Sequence, residues 1–227
     1  MSNRPFSPGS GAWGTLWHVV TGGPEHLILP DGVMDLIWSN DKLVFAGPDT
    51  KAASITMPPG AVTWGLRLAP GVAQALLRIP ANELVGQRIV LADLVRLPHH
   101  LTDQAHRDPA TALTTLAQWL SQRNAPDPAD IRLAASLDRA ARAGTSVRAT
   151  AEQHYLSERS LRRISDRLFG YGPKTLASIH RFQRALTLAR SGTPLAETAV
   201  TTGYADQAHL ARETRRLTGT TLGRLLS

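Results

Sequence analysis

The last hundred residues carry one pattern written twice, and few folds accept such a repeat. The first copy runs from Val147 to about Gly170 and the second from Leu195 to about Gly219. Each begins with a short helical segment around a small residue, Ala151 or Ala199, followed by a polar turn and a second helix led by an apolar anchor, Leu161 or Leu210. Arginines crowd the second helix of each copy: Arg159, Arg162, Arg163 and Arg167 in one, Arg212, Arg215 and Arg216 in the other. A helix that enters a DNA major groove presents polar side chains at i, i+3 and i+4 to the bases. Arg159, Arg162 and Arg163 have that spacing, and Arg212 stands at i+4 from Ala208 and i+3 from His209.

Charge supports the same partner. Residues 1–127 hold 9 Lys and Arg against 10 Asp and Glu, whereas residues 128–227 hold 16 against 8, so the excess positive charge lies with the repeat. All but Lys174 of those cations are arginine, which suits bidentate contact with guanine edges and phosphates. The chain has no cysteine, which excludes disulfides and thiolate chemistry and agrees with a reducing cytoplasm. The start, Met-Ser-Asn-Arg-Pro, leads into no apolar h-region, and no run approaches the roughly 18 apolar residues of a membrane span. A soluble, cytoplasmic protein without membrane contact is expected.

Residues 1–97 read as a small antiparallel sheet. Short apolar segments (His26–Leu29, Val33–Trp38, Leu43–Ala46, Val62–Leu68) alternate with the turns Pro30-Asp31-Gly32, Ser39-Asn40-Asp41, Gly47-Pro48-Asp49 and Pro70-Gly71. Val72–Leu77 and Ala81–Leu84 read as helical. Residues 98–127 form a helical connector, with an amphipathic helix over 108–124 capped by Asp108, and a linker at Asn124–Asp130. Residues 128–227 hold a supporting helix over Ile131–Ala143, the first copy with caps at Ser146 and Ser157, a long helix over about Lys174–Ala189, and the second copy with caps at Thr193 and Asp206. Gly203 is placed at a helix C-terminus with positive φ. The fold class expected is α+β, a small antiparallel barrel-like domain followed by an all-α domain.

The last domain resembles the DNA-binding domain of the AraC/XylS family of bacterial transcription regulators. The residues that carry the resemblance are Ser157-Glu158-Arg159-Ser160-Leu161-Arg162-Arg163, the bridge from Gly172-Pro173-Lys174 to Arg181-Phe182-Gln183-Arg184-Ala185-Leu186, and Gly203-Tyr204-Ala205-Asp206-Gln207-Ala208-His209-Leu210. The resemblance implies two helix-turn-helix units on one long helix, reading successive major grooves about 34 Å apart. By position it puts base contacts at Arg159, Arg162, Arg163, Gln207, Ala208, His209 and Arg212. Phosphate contacts fall at Ser157, Arg167, Lys174, Arg215 and Arg216. This sequence departs from the family at Tyr155, where relatives carry glycine, at Ser165 and Thr214, where they carry phenylalanine, at Thr150 and His154, which replace apolar core residues, and at Thr221-Leu222, where a Thr/Ser-Pro pair is usual. The core of each unit should therefore be thin.

The first domain resembles the leading domain of one AraC-like subgroup through Leu29-Pro30-Asp31-Gly32, Asp35-Leu36-Ile37-Trp38, Ala46-Gly47-Pro48-Asp49-Thr50, Gly65-Leu66-Arg67, Pro70-Gly71 and Pro80-Ala81-Asn82-Glu83-Leu84. In the wider family such domains are barrels that bind an effector or dimerise, and RNA polymerase is a further partner the resemblance implies. Asp31, Asp35 and Arg67, with Trp38 and Trp64 as walls, are the effector-site candidates. Neither a catalytic motif nor a cofactor motif is present. His99-His100 with His106 lacks the carboxylates a metal site would need. The expected function is sequence-specific DNA binding and transcription regulation by a protein that is not an enzyme. An enzyme that uses the helical half for localisation, or an architectural DNA binder, is the alternative.

Overall fold

The computed structural model describes residues 13–23 and 25–226; the expectation that no leader occupies the first five residues lies outside them. Two antiparallel sheets form the first domain. Strands β1 (Gly14–Val20), β3 (Asp35–Ser39), β4 (Lys42–Ala46), β6 (Val62–Leu68) and β7 (Arg88–Val90) pair in the order β1-β6-β3-β4-β7, and β2 (Glu25–Ile28) pairs with β5 (Ala53–Thr56). The β3–β4 connection is a two-residue hairpin whose central residues, Asn40 and Asp41, have φ 49° and 58°. Both positive values match the twist of the strands they join, and Asn and Asp tolerate that region at low cost.

Alternation along β3 and β6 sends Leu36, Trp38, Leu66 and Leu68 to one face, where they meet helices α1 (Val72–Leu77), α3 (His99–Arg107) and α4 (Pro109–Arg123). Phe45, Leu91, Leu101, Leu113, Leu116 and Leu120 are at most 1 % exposed in this first core. Each such side chain contributes roughly 1.5–3 kcal/mol by leaving water. The short helix α2 (Leu91–Leu94) carries Leu91 into it. Helices α3 and α4, read from sequence as a connector, are thus part of the core of the first domain. Asp108 caps α4 as expected, its carboxylate accepting from Thr111 N at 3.1 Å.

The second core begins at Ala134 in α5 (Pro128–Ala143) and gathers α6 (Val147–Gln153), α7 (Glu158–Phe169), α8 (Pro173–Arg190), α9 (Leu195–Thr201), α10 (Gln207–Thr218) and α11 (Leu222–Leu226). Leu161, Leu168, Ile179, Phe182, Ala185, Ala199 and Leu217 are fully buried there. The sequence caps hold at Ser146, Ser157 and Asp206, whose side chains accept from the N–H groups of Ala149, Ser160 and His209. Thr193 does not cap: α9 starts at Leu195 after Pro194, and it is the Thr193 carbonyl that accepts from Thr198 Oγ1. Proline supplies the entering φ there and brings no unpaired N–H.

The turns of the first domain seat on the second. Gln183 Nε2 donates to Pro30 O at 2.6 Å, Ala52 N donates to Leu217 O at 2.7 Å, and Leu29 packs on the second core. Space at the joint is tight: a Cβ on Gly32 would lie 3.0 Å from the His180 ring, and one on Gly170 2.6 Å from Pro48 and 2.9 Å from Val85. Most of the segments through which the first domain resembles its subgroup (Leu29–Gly32, Ala46–Thr50, Pro70-Gly71, Pro80–Leu84) include residues of this joint.

Candidate nucleic-acid interface

Helix α7 has two faces of different chemistry. Leu161 and Leu168 point into the core, and Arg159, Arg162 and Arg163 are exposed on the other side. Ser157 and Glu158 place a hydroxyl acceptor and a carboxylate at its N-terminus, where the unpaired N–H groups and the helix dipole favour both. Arg162 lies 3.8 Å from Asp166 one turn along, while Arg159 and Arg163 make no ion pair among the described residues. The first turn of α8 lies alongside: Lys174 is exposed and lines a groove of about 470 Å³ with Val147, Arg159, Arg162 and Gly172. Two helix N-termini and the arginines of α7 therefore share one surface.

The other unit is built alike but reads differently. Gln207, Ala208 and Arg212 are exposed on α10, and His209 is half-buried. Ala205 N donates to His209 Nδ1 at 3.3 Å, and the ring stands edge-on to Tyr204. An Nδ1 that accepts leaves the proton of the neutral ring on Nε2, so this histidine presents a donor. Ala211, Arg212, Arg215, Arg216 and Thr221 line a shallow groove of about 360 Å³.

Of the phosphate-contact residues expected from sequence, Lys174 and Arg215 are exposed and make no ion pair among the described residues. Three others are engaged within the chain. Arg167 binds Asp130 of α5 at 3.3 Å, Arg216 bridges Glu213 and Ser178, and the Ser157 hydroxyl donates to Ser160 Oγ. The Arg216 hydrogen bond holds the Glu213 carboxyl below its usual range against the opposing effect of burial. Arg148 on α6, paired with Glu152 at 2.9 Å, and Arg181 on α8, stacked over Tyr204 at 4.8 Å, join this surface without having been expected; Arg181 shares an i, i+7 stripe with Lys174, a signal present in the sequence.

The effector candidates divide. Asp31, Asp35 and Arg67 come together: Arg67 Nη2 lies 2.7 Å from Asp31 and its Nε 3.8 Å from Asp35, which also accepts from Trp17 Nε1 at 2.9 Å. Burial pushes both carboxyls above their ordinary range, and Arg67 pulls them back in part. Trp38 and Trp64 face the other way. They stand opposite each other across β3 and β6, each three residues from Asp35 or Arg67, and an odd spacing on a strand changes face. Trp38 is buried against His106, and Trp64 stacks on His18. The sheet itself separates the expected walls from the expected polar groups.

Asp31 and Arg67 instead open onto a cleft of about 810 Å³ between the domains, whose far wall includes Arg142, His180, Gln183 and Arg184. His180 is buried and donates from Nε2 to Asp138 Oδ1 at 2.8 Å; Arg142 Nε donates to Asp138 Oδ2 at 2.7 Å. Burial raises the Asp138 carboxyl, but these two donors outweigh it and hold the group below its ordinary value. Among the described residues no cluster of metal-ligating side chains occurs, and no helix is long and apolar enough to cross a membrane.

Comparison with known proteins agrees with this geometry. Residues 150–227 match a family described as a helix-turn-helix domain, and residues 14–90 match a domain of unknown function, DUF6597. No curated protein matches the sequence. The fold is shared with an apo variant of ToxT from Vibrio cholerae, at a TM-score of 0.53 and 9% identity over 93% of this chain and 96% of that one. A second crystal form of ToxT from the same organism aligns at 0.49 and 7% over 93% and 96%, and ToxT with unsaturated fatty acid bound at 0.46 and 7% over 93% and 93%. With two helix-turn-helix units on a single bridging helix behind an antiparallel sheet domain, the chain is a DNA-binding transcription regulator with an AraC-type helix-turn-helix domain.

Proposed function

We propose that this protein reads an operator with both helix-turn-helix units at once, and that the first unit supplies most of the sequence discrimination. The observation that carries the reading is the outward face of α7: Arg159, Arg162 and Arg163 exposed on a helix that is capped, anchored by Leu161 and flanked by Lys174. Arginine is the side chain best suited to the O6 and N7 acceptors of guanine, so the first half-block is expected to be G-rich on one strand. Gln207, His209 and Arg212 contribute a sparser code, and Ala208 offers only a methyl contact. Lys174 and Arg215, exposed and without an ion pair among the described residues, bind phosphate most directly and fix the register, while Arg148, Arg167, Arg181 and Arg216 reach phosphate from positions held by contacts within the chain.

The first domain senses a small-molecule effector. The cluster of Asp31, Asp35 and Arg67 at the domain joint supports that role. A homodimer on paired operators and a contact with RNA polymerase complete the working regulator, which acts in the cytoplasm of a bacterium. Selection of genomic fragments by the full chain at about 150 mM salt tests the core of the reading, because phosphate contacts alone weaken steeply there. One enriched motif with two short blocks a helical turn apart is the expected result. Uniform retention of random fragments would replace it with an architectural role.

A further inference from the structure

We infer that the cleft between the domains is a binding site for a small hydroxylated oxyanion, a phosphorylated or carboxylated polyol. This rests on the effector reading above and gives it a place and a chemistry. The cleft is large enough for such a molecule, at about 810 Å³, and both domains line it: Asp31 and Arg67 on one side, Arg142, Gln183, Arg184 and Thr187 on the other.

The charges of the walls do not balance. Three guanidinium groups face one lining carboxylate, Asp31, and that carboxylate is already held by Arg67 at 2.7 Å. Arg142 gives its Nε to Asp138 behind the wall and keeps its outer nitrogens. Arg184 makes no ion pair among the described residues; its guanidinium donates to the Arg142 main-chain carbonyl. Two like charges are thus held side by side on the packed helices α5 and α8, an arrangement that favours an anion between them. The remaining lining selects the body of that anion. Val33 and Leu188 are the aliphatic side chains among the lining residues, while Thr187, Thr201, Thr202 and Gln183 present hydroxyl and amide groups. Thr187, Thr202 and Gln183 already give a proton to main-chain carbonyls, so what they keep is oxygen acceptors, which the hydroxyls of a polyol can use and a hydrocarbon chain cannot. The position gives the site its consequence. Gln183 holds Pro30 from the edge of the cleft, and α8, which carries Gln183 and Arg184, is the helix that sets the two units apart. A ligand there bears on both domains.

The test is thermal unfolding of the full chain with ribose 5-phosphate, gluconate, inorganic phosphate, ribose and decanoate, each at 10 mM as an experimental choice, for the wild type, Arg184→Gln and Arg142→Gln. Ribose 5-phosphate or gluconate should raise Tm by about 3–6 °C for each tenfold excess over its Kd, and both variants should lose that rise. The two anions separate a phosphoryl from a carboxyl source. The inference is overturned if neither shifts Tm, if the shift survives in both variants, if inorganic phosphate matches the sugar phosphate, or if decanoate alone binds. Fragment selection with Arg184→Gln keeps the two readings apart. A motif retained by the variant, with no Tm response of the wild type to either anion, sinks the cleft site only. Ligand response without any motif sinks the DNA reading only.

Discussion

The two helix-turn-helix units follow one plan and differ at the places that decide what each can do. Both reverse the chain through a residue in the left-handed region, Tyr155 at φ 55° in the first and Gly203 at φ 84° in the second. Each bonds that turn back to its small residue, Leu156 N to Ala151 O and Tyr204 N to Ala199 O, both at 2.9 Å. Both bury a hydroxyl midway along the recognition helix, but Ser165 donates to Tyr171 O at 2.7 Å whereas Thr214 Oγ1 is buried with no partner among the described residues. The first unit is bolted to the sheet domain where Gly170 meets Pro48, Val85 and Ala81; the main-chain tie of the second is Ala52 N to Leu217 O. A shared fold therefore divides labour. The first unit is tied closely to the sheet domain, and the second has looser ties to it.

Truncating the two anchors gives the largest effect. Leu161→Ala and Leu210→Ala should each cost about 2–5 kcal/mol, since both side chains are at most 1 % exposed. Their unfolding should differ in kind. All five tryptophans lie at or before Trp119, so their fluorescence reports the first domain and far-UV circular dichroism reports the helices. In urea, Leu161→Ala should shift both signals together, and Leu210→Ala should lose helix before fluorescence changes. Coincident transitions in both variants would erase the proposed difference in coupling. Arginine truncation comes next. Arg163→Ala should cost about 1–3 kcal/mol on the selected operator and much less on random DNA, and Arg212→Ala should cost less than Arg163→Ala. Equal losses on specific and random DNA would reduce Arg163 to a phosphate contact.

The buried hydroxyls come third and carry opposite signs. Ser165→Ala removes a satisfied bond and strands the Tyr171 carbonyl, at a cost of about 1 kcal/mol, whereas Thr214→Val removes a hydroxyl that lacks a partner and should stabilise by up to about 1–2 kcal/mol. Chemical denaturation of both variants measures the pair. A loss at Thr214→Val would mean that its hydroxyl is bonded in solution.

Local signals account for what the sequence disclosed. The caps at Ser146, Ser157 and Asp206 and the stripe through Leu161 and Leu168 depend on neighbours a few residues away, and a few residues of sequence specify them, whereas the positive φ at Tyr155 is signalled only by the resemblance, through the glycine that relatives carry there. The domain joint depends on partners far apart. Nothing near Pro30-Asp31-Gly32 announces that His180 and Gln183 will meet it, so the segment reads as an ordinary turn. Helix α3 reads only as part of a connector because its apolar stripe is no more than Leu101 and Ala105, although both are fully buried in the first core. The split of Trp38 and Trp64 from Asp35 and Arg67 was legible, since odd spacing on a strand is enough to show it.

The smallest effect is the sharpest test of equivalence between the two turns. A non-glycine residue in the left-handed region costs roughly 1–2 kcal/mol, because its Cβ crowds the following carbonyl. Tyr155 bears that strain and recovers nothing by packing, as its side chain is 98% exposed. Replacing it with glycine relieves the strain but loosens the unfolded chain by roughly 0.5–1 kcal/mol, so Tyr155→Gly should stabilise by at most about 1.5 kcal/mol. Gly203→Ala makes the reverse exchange in the same backbone geometry, with no neighbouring atom within 4 Å of the new Cβ, so backbone strain alone sets its cost at about 1 kcal/mol. Paired denaturation curves should therefore move in opposite directions from the wild type. If both variants are destabilised, the Tyr155 ring makes a contact in solution that its exposure conceals; operator binding by Tyr155→Gly and Tyr155→Phe then locates it. A loss in both variants points to the phenolic hydroxyl, and a loss in the glycine variant alone points to the ring.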